Sequence, residues 1–219
     1  MDFGYFCLNE NTQPMNELYR LVDGKTAILS TKQKTTISNI IAVWTEPKKV
    51  KDVSHSAILR PDLQVTEARG DIKNPRVVNT PFADIIGNKA LQYLYISIPK
   101  NQPEPVETIL WCDERVGRDY DFLNLGLIQF PARFYRWLPD AVIKLLPFQN
   151  KTKQAEKKYI CSELANHFVR SLIKGCRYIF GRRNISDYTP ADMLDLQISH
   201  PELFDNYYCE PQNNILYKI

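Results

Sequence analysis

One cysteine of the chain has neighbours that suit nucleophilic chemistry. Cys161 precedes apolar residues at helical spacing, from Leu164 to Ile173, so we expect it in the first turn of a helix. Free backbone N–H groups and the positive end of the helix dipole favour a thiolate there and can hold an oxyanion. A histidine within hydrogen-bonding reach would form an ion pair with the thiolate, and a carboxylate behind it would fix its tautomer.

A suitable histidine and glutamate occur in two short alternating segments that predict a β-hairpin. The segments are 54–59 and 63–68, separated by the turn-forming Arg60-Pro61-Asp62. A hairpin symmetric about Pro61 places His55 directly opposite Glu67, on one apolar, core-facing surface. The opposite face then carries four polar residues: Ser54, Ser56, Gln64 and Thr66. The sequence therefore predicts a site assembled between a sheet and the Cys161 helix.

Other periodic segments predict the elements that position these residues. Helices are expected near 16–22, 104–115 and 160–174, and strands at 26–30, 91–99 and 214–219. The turn-rich segment 69–81 is interpreted as a loop, and 185–204 as loop, short helix and loop. We therefore expect an α+β protein with an antiparallel sheet packed against the helix that bears the cysteine. Residues 1–219 form a single domain in this interpretation, with an aromatic-rich insertion at about 122–150.

Composition and charge exclude several classes of function. The chain has 219 residues and a net charge of +3, without the concentrated basic stripe of a specific nucleic-acid binder. No segment has the pattern of a signal peptide or the roughly 20 apolar residues of a membrane-spanning helix. Five scattered cysteines without a CxxC pair argue against a disulfide framework. We expect synthesis in the cytoplasm, and the site of action stays open, a virus particle included.

The other two histidines predict no second site. His167 follows Cys161 on the same helix but off its face, and it is interpreted as a surface residue. For His200, no context of a carboxylate and a cysteine can be constructed from the sequence. The three histidines also lack the spacing of zinc ligands, so we predict no metal site and no cofactor.

The order of the motifs resembles a known enzyme family. The segments SHSAI (54–58), VTEA (65–68), YDF (120–122) and YICSEL (159–164) are similar to blocks of the circularly permuted NlpC-type hydrolases, the YiiX-like group of the papain-like superfamily. The resemblance spans roughly residues 25–195. It implies a papain-like fold, with Cys161 as nucleophile, His55 as base and Glu67 as the third polar residue. Tyr120 is expected to line the substrate cleft, with an ordinary core tyrosine as the alternative interpretation.

These features predict a cysteine hydrolase, a peptidase or amidase that acts by acyl transfer through a thioester on Cys161. An amide bond in a peptide or a cell-wall peptide is the expected target, with water as the acceptor. One alternative is a lipid acyltransferase or lipase of the same fold, whose aromatic stretch at 130–148 would contact a membrane surface. The other alternative is a non-enzymatic component assembled into a virus or phage particle.

Overall fold

The computed structural model describes residues 14–34, 53–70, 74–121, 158–180 and 188–219. Their helices are α1 (Pro14–Val22), α2 (Phe82–Gly87), α3 (Pro105–Asp113), α4 (Cys161–Leu172) and α5 (Pro190–Ser199). Their strands are β1 (Ala27–Gln33), β2 (His55–Leu59), β3 (Gln64–Arg69), β4 (Arg76–Pro81), β5 (Leu91–Pro99), β6 (Asp119–Tyr120), β7 (Lys158–Tyr159), β8 (Phe204–Glu210) and β9 (Ile215–Lys218). The predicted insertion at about 122–150 lies outside the described residues.

These strands form one mixed sheet, which confirms the α+β class. Their order is β7-β6-β4-β3-β2-β1-β5-β8-β9, and every neighbouring pair is antiparallel except β6 and β7, which are parallel. β5, rich in aromatic and β-branched residues, has the predicted bounds. α4 begins at Cys161, and Gly175 follows it with a φ of 84°, a left-handed conformation that favours glycine after a helix.

Besides the two-residue strands β6 and β7, two longer strands occur where the sequence indicates none. β4 lies in the segment interpreted as a loop, and its burial alternates only weakly because the strand is half exposed. β8 carries Asp205 and Asn206, residue types that are depleted in strands. β8 nevertheless pairs with β5 over six residues, and Ser97 Oγ donates to Asn206 Oδ1 at 2.7 Å. Long-range pairing thus outweighs local propensity in both strands.

The β2–β3 hairpin has a different register from the predicted one. β2 and β3 pair with Leu59 opposite Val65, and continuing this register places Glu67 opposite Ala57. The direct pairing of His55 with Glu67 is therefore wrong by two residues. A shift of two residues keeps every side chain on its face, so His55 and Glu67 still share one face.

The turn explains this difference in register. The N–H of Leu63 donates to the carbonyl of Arg60, which closes a β-turn with Pro61 as its first central residue. Leu63 has a φ of 58°, in the left-handed region, so it belongs to the turn and β3 begins one residue later. A symmetric turn about Pro61 leaves no place for this extra residue.

Helices cover both faces of the sheet, so the polar face expected for the hairpin is buried in the core. Ser56 and Thr66 are fully buried because α4 covers the face on which they lie. This face belongs to a core cluster that includes Ile58, Ala68, Leu164, Phe168 and Met193. The other face belongs to a cluster that includes Leu18, Leu59, Val65, Phe82 and Ile86. The cysteine helix therefore packs on the face opposite the one that carries Glu67.

Candidate active site

The candidate site forms where two neighbouring strands separate. β2 stays paired with β1 as far as His55, and β3 stays paired with β4 as far as Arg69. The two strands pair with each other only near their turn. At the open end, the first residue of α4 meets β2, and the backbone N–H of Ser56 donates to the sulfur of Cys161. The separation of the strands brings the residues of both faces within reach of the cysteine.

Cys161 lies in an environment that favours a thiolate. It is the first residue of α4, where the backbone N–H groups have no intrahelical acceptor, and the N–H of Ser162 also donates to its sulfur. Burial by itself raises the pKa of Cys161. The charge and hydrogen bond of His55, with the two backbone N–H groups, outweigh burial and hold the pKa below its ordinary value.

His55 lies between the cysteine and the glutamate. Its Nε2 is 2.9 Å from Glu67 Oε2, which leaves Nδ1 as the ring nitrogen for Cys161. Burial lowers the pKa of His55, but the Cys161 and Glu67 groups on either side raise it to about 10. The two shifts together favour a thiolate paired with an imidazolium.

Both carboxylate oxygens of Glu67 are engaged. Oε2 contacts His55, while Oε1 accepts hydrogen bonds from Arg69 Nε at 2.8 Å and Thr80 Oγ1 at 2.9 Å. Burial raises the pKa of Glu67, but the hydrogen bond and charge of His55, the charge of Arg69 and the Thr80 bond lower it to about 2. Glu67 is thus a carboxylate at any physiological pH.

Tyr120 lies against the nucleophile. Its side chain is buried, and its hydroxyl is hydrogen-bonded to the sulfur of Cys161. Burial and the Cys161 charge raise the pKa of Tyr120 above its ordinary value, so the hydroxyl keeps its proton and donates it. A Cβ added to Gly70 would lie 3.2 Å from the Tyr120 ring, so a larger residue there would press on the ring. The structure thus brings together all four predicted site residues, whose roles stay predictions.

A second carboxylate, which the sequence analysis did not assign to the site, lies in the first turn of α4. Glu163 is 1% exposed, and its Oε1 is 3.9 Å from His167 Nε2. The His167 ring also packs edge-to-face on Tyr159 at a centroid distance of 6.0 Å. The His167 side chain is 33% exposed, so it lies at the surface with one side packed against these neighbours. The spacing of four residues between Glu163 and His167 is the signal that indicates this contact.

His200 lies near a carboxylate and a cysteine, a combination that could not be inferred from the sequence. Its Nδ1 is 2.7 Å from Glu202 Oε1, and Glu202 also bonds the hydroxyl of Tyr178. Burial and the Glu202 charge raise the pKa of the nearby Cys176 to about 11. This group of four repeats the residue types of the candidate site and is called the Cys176 cluster below.

Known proteins do not identify the site. Neither the family models nor the curated proteins and solved structures with which the chain was compared include a match. Within the described ranges, no three His, Cys, Asp or Glu side chains are grouped so that they could hold a metal ion. No helix in the same part of the chain is both long and apolar enough to span a bilayer.

Proposed function

We propose that this protein is a cysteine hydrolase that transfers an acyl group to Cys161 and then to water. The observation that carries the proposal is the chain of contacts from Cys161 through His55 to Glu67, with alternating negative and positive charge. A cysteine with a purely structural role behaves differently in this protein. Burial raises the pKa of Cys112 to about 11 and that of Cys209 to about 12, whereas the pKa of Cys161 is lowered.

The first half of the reaction uses three of the groups in contact with the sulfur. The Cys161 thiolate attacks the carbonyl carbon of the substrate, and the carbonyl oxygen becomes an oxyanion. The backbone N–H of Ser162 and the hydroxyl of Tyr120 both donate to the sulfur and are candidates to hold this oxyanion. Collapse of the intermediate breaks the C–N bond. The leaving amine takes the Nδ1 proton of His55, and a thioester remains.

The second half of the reaction restores the resting site. His55 is now neutral and removes a proton from a water molecule, which attacks the thioester carbon. Breakage of the C–S bond releases the carboxylic acid and returns the thiolate and the imidazolium. Glu67 keeps the imidazole ring oriented and supports its positive charge through both halves, since it contacts Nε2 at 2.9 Å.

We propose an amide bond of a peptide or cell-wall peptide as the target, in a fold of the permuted papain-like type. The chain order supports the fold assignment, because the histidine strand β2 precedes the cysteine helix α4. An amide leaving group needs a proton, and the protonated His55 is placed to supply one. The lipid alternative depends on the stretch at 130–148, which lies outside the described residues.

The test uses p-nitrophenyl acetate, a generic acyl donor, because the natural substrate is not required for acylation. We expect release of p-nitrophenol with a mass increase of one acetyl group on the Cys161 peptide, followed by slow deacylation. Cys161→Ser and His55→Ala are expected to abolish both signals, and Cys176→Ser is expected to retain them. Folded wild-type protein that acquires no acetyl group on Cys161 would contradict the proposal and favour a non-enzymatic particle component.

A panel of acyl compounds then separates the two enzyme classes. Peptide amides, including cell-wall peptides, and phospholipid esters are compared as substrates of the same preparation. Turnover of the amides supports the proposed function. Turnover of the phospholipid esters alone would replace it with the lipase or acyltransferase alternative.

A further inference from the structure

The two oxygens of the Glu67 carboxylate have separate partners. Among the described residues, Oε2 is hydrogen-bonded to His55 Nε2 alone, whereas Oε1 accepts from two side chains. The Glu67 side chain is only 6% exposed, so water has little access to compete with these bonds. A carboxylate with one oxygen fixed has a single direction left for the other.

Arg69 provides most of this fixation. Its Nε and Nη2 both lie 2.8 Å from Glu67 Oε1, and Nη2 donates to Thr80 Oγ1 at 2.9 Å. Thr80 in turn donates to the same Oε1, so the three side chains form a closed set of hydrogen bonds. Arg69 follows Glu67 by two residues in β3, and alternation therefore places both on one face.

We propose that Arg69 is a positioning residue that aims Glu67 at His55 and offsets the negative charge of this carboxylate. The inference rests on the proposed function, since it concerns the same ion pair. In this role Arg69 acts through Glu67, which it contacts directly, and through Glu67 on His55. Its planar guanidinium fits a carboxylate through two N–H groups, which a lysine ammonium cannot reproduce.

The charge of Arg69 has a predictable effect on the ion pair. Other charged or titratable groups face this region from four elements or their ends: His55 on β2, Arg76 on β4, Asp119, Tyr120 and Asp121 at β6, and Cys161 on α4. Loss of the Arg69 cation makes their surroundings more negative. Both the ionisation of Cys161 and the loss of the His55 proton then require a higher pH.

The experiment measures the rate of Cys161 alkylation by iodoacetamide against pH, with mapping by mass spectrometry. Arg69→Gln is expected to move the acid limb of the profile up by about one pH unit, so that alkylation at the wild-type midpoint slows roughly 5-fold. Arg69→Lys keeps the charge and is expected to restore part of the shift. Arg76→Gln is the matched control. Arg76 is exposed and lies opposite Arg69, so its substitution removes the same charge without loss of a bond to Glu67.

The outcomes separate this inference from the proposed function. If the alkylation rate of Cys161 in the wild type rises with pH as it does for an ordinary thiol, the proposed function is overturned, and the role of Arg69 with it. If the wild-type profile shows an acid limb at low pH and neither Arg69→Gln nor Arg76→Gln shifts its midpoint, the role of Arg69 is overturned and the proposed function stands. Arg69→Met keeps the aliphatic stem and provides the same comparison if Arg69→Gln does not fold.

Discussion

Two clusters in this protein contain the same four residue types and have opposite electrostatics. The Cys161 cluster, named for its cysteine, contains Cys161, His55, Glu67 and Tyr120, and the Cys176 cluster contains Cys176, His200, Glu202 and Tyr178. Each has a His–Glu contact, at 2.9 Å and 2.7 Å respectively. The pKa of Cys161 is lowered, whereas that of Cys176 is raised to about 11.

The difference lies in which group faces the sulfur. In the Cys161 cluster the imidazole stands between the thiol and the carboxylate, so the nearest charge is positive. In the Cys176 cluster the Glu202 carboxylate acts on the thiol, and its negative charge adds to the effect of burial. The comparison teaches that composition alone does not make a nucleophile. The order of the three groups in space decides whether burial is overcome.

The largest expected effect is the difference between the two cysteines in the wild-type protein. At pH 6 we expect iodoacetamide to alkylate Cys161 at least about 10³-fold faster than Cys176, because the proposed ion pair favours the Cys161 thiolate and the pKa of Cys176 is raised to about 11. Peptide mapping by mass spectrometry measures both rates in one sample. The same reaction in urea is the control, since unfolding should make the rates similar. Comparable rates in the folded protein would remove the distinction between the clusters.

The second prediction compares the removal of the histidine from each cluster. His55→Ala is expected to slow alkylation of Cys161 at pH 6 by about 10²-fold, because the thiolate loses its cation and burial then raises the pKa. His200→Ala is the matched variant and should leave the slow alkylation of Cys176 unchanged. A His55→Ala protein that keeps rapid alkylation at pH 6 would show that the helix terminus suffices without the imidazolium.

The third prediction concerns stability in acid. The pKa of Glu67 is lowered to about 2, so its contribution to stability is complete above its ordinary value of 4.5 and is lost as the pH falls through about 2. The free energy of unfolding of the wild type, measured with urea, should fall by on the order of 2–3 kcal/mol over this pH interval because Glu67 becomes protonated. Glu67→Gln should lack this component, whereas Glu202→Gln should retain it. Parallel acid dependence of the wild type and Glu67→Gln would contradict the buried ion pair.

The smallest expected effect comes from moving Tyr120. Gly70→Ala places a methyl carbon 3.2 Å from the Tyr120 ring, closer than an ordinary contact, and should push the hydroxyl away from Cys161. We expect alkylation at pH 6 to slow by roughly 3-fold, since one of several hydrogen bonds to the thiolate is weakened. Gly87→Ala is the control, because nothing lies within 4 Å of its added methyl group. Equal rates in the two variants would remove Tyr120 from the set of groups that stabilise the thiolate.

Local patterns predict the elements but not the contacts between them. The helical spacing after Cys161 and the aromatic character of β5 identify α4 and β5, because both patterns occur within a few residues. The motif order brings His55, Glu67 and Cys161 into one hypothesis. The separation of β2 from β3 is not predictable in this way, because it depends on how α4 packs between distant segments. The Glu202–Cys176 contact is missed for the same reason.

The place where β2 and β3 separate also has a consequence for folding. The site contains residues of the β2–β3 hairpin, of β6 and of α4, and the hairpin is far from β6 and α4 in the chain. Contacts of such high sequence separation require long loops to close before they can form. A newly synthesised chain therefore carries Cys161 as an ordinary thiol, and its reactivity develops with the tertiary structure. The rate of Cys161 alkylation at low pH therefore also reports when the hairpin, β6 and α4 have assembled during folding.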